Sequence, residues 1–257
     1  MKRRLPVLII LLLTITFSAV ASPQYGGTLK IGTRQIPPSM DPHHNMGFGR
    51  LEKYIVFNTL IRYDQNLDFQ PELAEFWEMP DNTTYVFKLR EGVKFHDGTD
   101  FNAEAVKWNI ERMQSEYSQV RSYFSIIDSV ELIDDYTIKI KLKEPYAPFL
   151  DNIASNGLIV SPTAVSESGN DIFQKHPVGT GSFVFESLDT QKVQLVFKKN
   201  ENYWKEDSPY LDRVVITEIP EDQTRLFALQ TGDIDYNDNV LASSVEQLKK
   251  SEDIKLV

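Results

Sequence analysis

The chain of 257 residues contains no cysteine, which removes disulfides, thiolate metal sites and cysteine nucleophiles from consideration. Beyond the first 21 residues there is no apolar run of membrane length, so the remainder is expected to be soluble. Gly-x-Ser-x-Gly, His-Glu-x-x-His and Ser-x-x-Lys are all missing, and no nucleophile-base set takes their place. No catalytic constellation is therefore expected, enzyme activity is disfavoured, and no cofactor is implied. Positive charge is scarce as well. Without the three cations of the first 21 residues, 24 Lys and Arg face 37 Asp and Glu, a formal charge of −13. Such a field repels nucleic acid and anionic lipid.

What is present begins with an export signal. Met1-Lys-Arg-Arg4 is a positive n-region, Leu5 to Val20 is uncharged, and Ala19-Val-Ala21 has the small-x-small form of a cleavage site. Cleavage would leave Ser22 first, and no Cys follows to accept a lipid. The alternative, an uncleaved anchor, is disfavoured because the run is shorter than the roughly 20 apolar residues of a spanning helix. The expected location is the periplasm, with no membrane insertion after cleavage. The remaining 236 residues, with fifteen Phe, eleven Tyr and three Trp in the whole chain, are far from a disordered composition and can bury a real core.

Periodicity predicts an α+β fold (α/β mixed sheet). Gly27 to Gly32 reads as a strand, followed by a Pro-, Gly- and His-containing loop from Gln35 to Gly49. Leu51 to Tyr63 has helix-like apolar spacing. Tyr85, Phe87 and Leu89 alternate with polar residues as in a half-buried strand, and a turn follows at His96-Asp-Gly98. Asn102 is positioned to cap a helix carrying Ala103, Val106, Ile110 and Met113 on one face. A hairpin is expected from Val130–Leu132 and Thr137–Lys143, and a second from Phe183–Phe185 and Gln191–Lys198 with Val193, Leu195 and Phe197 inward. Leu211 to Ile219 adds a strand. Glu221 to Thr231 is a helix stopped by Gly232.

Several groups invite a functional reading. Asp41-Pro-His43-His44 and Phe95-His96-Asp97 contain metal-ligand residue types, but their spacing suits turns better. Gly179-Thr-Gly181 lacks the third glycine and the Lys-Ser/Thr of a phosphate loop, so a tight approach of two backbones explains it better. Gly47-x-Gly49 fails likewise. Asp134-Asp135 and Asp233-x-Asp235 read as solvated turn acids. Trp77, Trp108, Tyr203 and Trp204 are expected in the core, while Phe48 in a loop and Tyr123 near a helix end have a stronger claim on a ligand.

In order, Gly26-Gly-Thr-Leu29, Asp41-Pro42, Pro71-Glu-Leu-Ala-Glu-x-Trp-Glu78, Thr84 through Gly98, Phe101-Asn-Ala-Glu-Ala-Val-Lys107, Leu142-Lys-x-Pro-Tyr-Ala-Pro-Phe-Leu150, Pro177-Val-Gly-Thr-Gly-Ser-Phe183, Asn202-Tyr-Trp204 and Arg225-x-x-Ala-Leu-Gln-x-Gly-Asp-Ile-Asp235 together resemble the family 5 extracellular solute-binding proteins. These are the peptide- and nickel-type receptors of ABC importers. The resemblance implies a periplasmic-binding-protein-like type II clamshell that delivers a peptide or other small-molecule ligand to ABC permease subunits in the inner membrane. It implies a signal peptide at 1–21, a first lobe from 22–50 and 171–257, and an inserted subdomain at 51–170. Relatives continue into a second lobe, so the chain is expected to be an N-terminal portion with that lobe absent.

Carried over by position, the resemblance points to Met46, Gly47, Phe48, Tyr123, Thr180 and Gly181 as ligand-binding. Met46 is apolar where some oligopeptide-binding relatives carry an acid. Peptide is the leading ligand. Nickel chelate, oligosaccharide, opine or another small solute are the alternatives, and His43 and His44 make metal worth testing. An exported hydrolase is a weaker alternative, as are a chemoreceptor ligand-presenter or a peptide chaperone on the same fold.

Overall fold

A computed structural model describes residues 24–44, 50–251 and 254–256; the signal segment and Met46 to Phe48 lie outside these. In chain order the elements are β1 (Thr28–Thr33), α1 (Arg50–Val56), β2 (Ile61–Tyr63), β3 (Phe69–Pro71), β4 (Ala74–Asp81), β5 (Thr84–Leu89), α2 (Ala103–Gln114), α3 (Arg121–Phe124), β6 (Ile127–Asp134) and β7 (Thr137–Leu142). Then follow α4 (Phe149–Asn156), α5 (Pro162–Ser168), α6 (Asn170–Phe173), β8 (Phe183–Asp189), β9 (Gln194–Lys199), β10 (Arg213–Glu218), α7 (Asp222–Thr231), β11 (Tyr236–Asn237) and α8 (Ala242–Leu248).

Two main sheets organise the chain. One is five-stranded in the order β11-β1-β10-β9-β8, with β1 parallel to both β10 and β11 and the other pairs antiparallel. The other is antiparallel in the order β4-β5-β7-β6. In the second sheet Tyr85, Phe87, Leu89, Ile138 and Ile140 point into a core closed by Val106, Ile110 and Met113 of α2. Lys139 and Glu131, paired across the strands, form an ion pair on the outer face. Period-2 and period-3.6 patterns meet here as expected, each fully buried Phe or Leu contributing about 1.5–3 kcal/mol. The Asn102 side chain caps α2 by accepting from the Ala105 amide at 2.9 Å. Gly232, at φ +78°, ends α7 in the left-handed conformation.

The five-stranded sheet has its own core of Ile31, Leu195, Phe197, Val214 and Ile216, to which Val56, Phe57, Leu158, Val160, Val165 and Phe173 contribute from the middle of the chain. No helix among the described residues is long and apolar enough to cross a membrane.

Two expectations are corrected. The helix predicted over Leu51–Tyr63 stops at Val56, and Ile61–Tyr63 is instead strand β2, paired with β3. The Thr59 amide is captured by Glu72 at 2.8 Å and the Asn58 side chain by the other oxygen of the same carboxylate at 3.0 Å, partners a helix could not supply. Val193 does not point inward: it is 36% exposed at φ +49° in the turn before β9.

The close backbone approach inferred for Gly179 and Gly181 is present. A Cβ on Gly181 would fall 2.4 Å from the Ile55 carbonyl oxygen and the Val56 carbonyl carbon, and one on Gly179 would fall 2.3 Å from the Val56 carbonyl oxygen. Gly181→Ala should therefore cost about 3 kcal/mol in urea unfolding, near the upper end of overpacking penalties. Gly92→Ala, where only the positive φ of +74° opposes a side chain in open space, should cost about 1–2 kcal/mol. Equal losses at both positions would contradict the packing reading.

Candidate functional site

Open sheets with parallel strands place ligands outside the strands' carboxyl ends, where the strand order reverses. Here that point is β1, flanked by β10 and β11 and crossed over by α7. Gly32 permits the crossing, because a Cβ there would lie 2.6 Å from Ile234 Cδ1 and 3.7 Å from Arg225 Cδ. The fully buried Arg225 ties the strand exits together. Its guanidinium donates to the Ile219 and Pro220 carbonyls at 2.6 and 3.0 Å and to Asn237 Oδ1 at 3.3 Å, and it pairs with Asp222. At the same edge Thr33 Oγ1 donates to Asp238 Oδ2 at 2.7 Å, and the Ile36 amide donates to Glu218 Oε2 at 3.0 Å. Beside the end of β11 lies a cavity of about 570 Å³ lined in part by Tyr236, Asp238, Val240, Leu248 and Leu256.

The segment leaving β1 carries the strongest polar cluster among the described residues. Asp41 and His43, expected as turn residues, do sit in a turn, yet both are fully buried. Arg112 of α2 grips the Asp41 carboxylate through both terminal nitrogens, at 3.1 and 2.5 Å. The Tyr117 hydroxyl donates to the same carboxylate at 2.9 Å, as does the His43 amide. Arg112 also donates to Asn170 Oδ1 at 2.8 Å, and its guanidinium carbon lies 4.7 Å from the centre of the Tyr117 ring. One turn earlier on α2, Asn109 pairs with Val160 through both backbone groups, at 2.9 Å each. Burial, the largest single influence, pushes the Asp41 carboxyl up, but the hydrogen bonds from Arg112 together with the other Arg112 and His43 contributions outweigh it and hold the group below the usual carboxylate range.

His43 is held at both nitrogens, by the Leu158 carbonyl at 2.9 Å and by Arg112 Nη1 at 2.7 Å, which leaves no lone pair for a metal ion. His44 stacks on Tyr117 with centroids 4.6 Å apart. Among the described residues no three His, Asp or Glu side chains gather as a metal cage.

The remaining predicted ligand residues divide in two. Tyr123 is half-buried on α3, packs against the core of the four-stranded sheet, and its carbonyl accepts from Asn152 Nδ2 at 3.2 Å. Ahead of α3, the Gln119 amide donates to the His43 carbonyl at 2.8 Å. Thr180 and Gly181 lie beneath α1 instead. Thr180 is fully buried and donates to Asn58 Oδ1 at 3.0 Å, and the Gly181 amide donates to the Val56 carbonyl at 2.8 Å. The Gly181 carbonyl accepts from Asn200 and from His96 Nε2, each at 2.9 Å. Burial lowers the His96 pKa, so it is a neutral structural bridge. Sequence reasoning missed Glu72, whose carboxylate binds Asn58 and Thr59, and the Asp41–Arg112 pair, whose members are 71 positions apart.

The architecture is that of a lobe of a type II periplasmic binding protein. The family model for bacterial extracellular solute-binding proteins, family 5 Middle, matches residues 68–257, and the chain belongs to that family. The glutathione-binding protein GsiB of Pectobacterium atrosepticum is 32% identical over 95% of this chain and 48% of its own length. The ABC transporter-associated periplasmic binding protein DppA from Helicobacter pylori, in complex with the peptide STSA, superposes with a TM-score of 0.79 at 31% identity, over 90% of this chain and 50% of that one. NikZ from Campylobacter jejuni, in complex with Ni(L-His), gives 0.78 at 28% identity over 88% and 45%. The chain spans about half the length of these relatives.

Removing one member of a buried ion pair strands the other. Arg112→Met should cost about 3–5 kcal/mol in urea unfolding, and adding Asp41→Asn to it should recover part of that loss. A single-variant cost below about 1 kcal/mol, or additive losses in the double variant, would show that the pair does not hold the segment.

Proposed function

We propose that the protein is a periplasmic receptor that binds di- or oligopeptides and delivers them to the permease of an ABC importer. Membership of family 5 is the observation that carries this reading, and the peptide-bound and glutathione-binding relatives favour peptide over other solutes. The strand ends of β1, β10 and β11 form one wall of the ligand cleft. Loop backbone groups there hydrogen-bond an extended ligand main chain, while side chains lie in wet, tolerant pockets. The lobe is built from 22–50 and 171–257. The inserted subdomain at 51–170 is anchored because its two ends, Val56 and Phe57 at one and Leu158, Val160 and Val165 at the other, pack into the lobe's core. Met46, Gly47, Phe48 and Tyr123 contact the ligand, and Thr180 and Gly181 support the floor from beneath. A second reading, a nickel chelate as ligand, is favoured by the Ni(L-His) complex of NikZ.

Two measurements test the proposal on protein recovered from the periplasm of an expressing host. N-terminal sequencing should read Ser22 first; an intact Met1 would contradict export by cleavage. Isothermal titration with glutathione, with mixed di- to pentapeptides and with nickel–histidine should give saturable heat with a peptide. At a hundredfold excess over Kd that ligand should stabilise the fold by about 2.7 kcal/mol. Saturation by nickel–histidine alone would favour the second reading, and no response to any of them would remove both.

A further inference from the structure

The His43 ring lies where three parts of the chain meet, and its partners dictate its protonation. Nε2 faces the Leu158 carbonyl, which can only accept, so Nε2 carries the proton. Nδ1 faces Arg112 Nη1, which can only donate, so Nδ1 must keep its lone pair. A second proton would oppose one N–H with another inside a fully buried cluster.

The charged and titratable neighbours offer that proton no easy home. From the same segment come Asp41 and the partly buried His44; from α2 comes Arg112; from the segment after α2 comes Tyr117, on which His44 stacks. α6 contributes the neutral Asn170, and the stretch before α5 contributes the Leu158 carbonyl. Asp41 would attract the proton, but its oxygens already accept from Arg112, from Tyr117 and from the His43 amide.

We propose that His43 is a proton-operated latch: protonation at Nδ1 expels Arg112 and frees segment 41–44 from α2 and from Leu158, while both apolar cores stay folded. The cores, Met40 included, depend on burial of Phe, Leu, Ile, Val and Met side chains that do not titrate, and the Met40 amide stays bonded to the Gln174 carbonyl at 2.8 Å. What opens is the segment that leaves β1 at the strand ends, so acid acts on the face described above without unfolding the domain.

The sign follows from linkage. Burial drives the His43 pKa from 6.5 down to about 4, so below pH 6.5 the open form binds protons more readily than the closed form. The closed form therefore loses ground as pH falls from 6.5 toward 4.

Amide hydrogen exchange on the 257-residue chain at pH 7 and pH 5, expressed as protection factors to remove the intrinsic pH dependence, tests this. Protection at His43, His44 and Gln119 should fall about twentyfold, with β5, β7, β9 and β10 unchanged. His43→Gln keeps a donor for Leu158 and cannot titrate, so its protection should not vary over this interval. An acid-dependent loss of equal size in that variant, or loss spread through both sheets, would overturn the latch. If the variant does not fold, histidine-selective nitrogen NMR of the unaltered protein decides. An Nε2–H tautomer that stays neutral below pH 5 supports the latch, and an Nδ1–H tautomer or ordinary titration near 6.5 overturns it.

Discussion

The buried pair between Asp41 and Arg112 is the interaction on which the arrangement of this lobe turns. Its cost is large, since two charges leave water, and it is met only because every oxygen and most donors find partners at once. Arg112 reaches Asp41, His43 and Asn170, and Asn109 one turn away reaches Val160. One face of α2 thus fastens the loop after β1 to the return of the chain into the five-stranded core. The adjoining face, Val106, Ile110 and Met113, closes the four-stranded sheet. A helix used on two faces makes two hydrophobic cores behave as one scaffold.

That scaffold is aimed at the carboxyl ends of β1, β10 and β11. Arg225 performs there the task that Arg112 performs at the loop: a buried guanidinium gathering two backbone carbonyls, the Asp222 carboxylate and the Asn237 amide oxygen. Both cations are consumed internally, so neither is available to a ligand. On the proposed reading, recognition then falls to loops and backbone groups placed on a rigid edge.

Much of the scaffold was legible because it obeys local rules. The Asn102 cap, the alternation of Tyr85, Phe87 and Leu89 and the Gly232 stop each concern neighbours within a few residues, and each appears where periodicity puts it. Strand β4 was not legible, since its pairing with β5 is broken by register shifts between Ala74 and Phe76 and again between Glu78 and Asp81. As an edge strand it has no clean inward and outward alternation. The end of α1 was misjudged because its cause, Glu72 gripping Asn58 and Thr59, is a contact between separate elements. The candidate site suffered most. Asp41-Pro-His43 has the composition of a turn and is one, but its burial depends on Arg112, which no spacing rule connects to it. The close approach at Gly181 was readable from the missing side chain, whereas its partner, Val56, was not.

The central claim is that solute is held at the carboxyl ends of β1, β10 and β11. Backbone chemical-shift mapping during titration with a peptide tests it most directly. The account predicts the largest perturbations at residues 33–48, at Tyr123, and at 217–222 and 236–238, with the outer face of the four-stranded sheet silent. Saturable perturbations confined to Glu78, Val86, Lys139 and Glu131 on that outer face, with the strand ends unmoved, would contradict it.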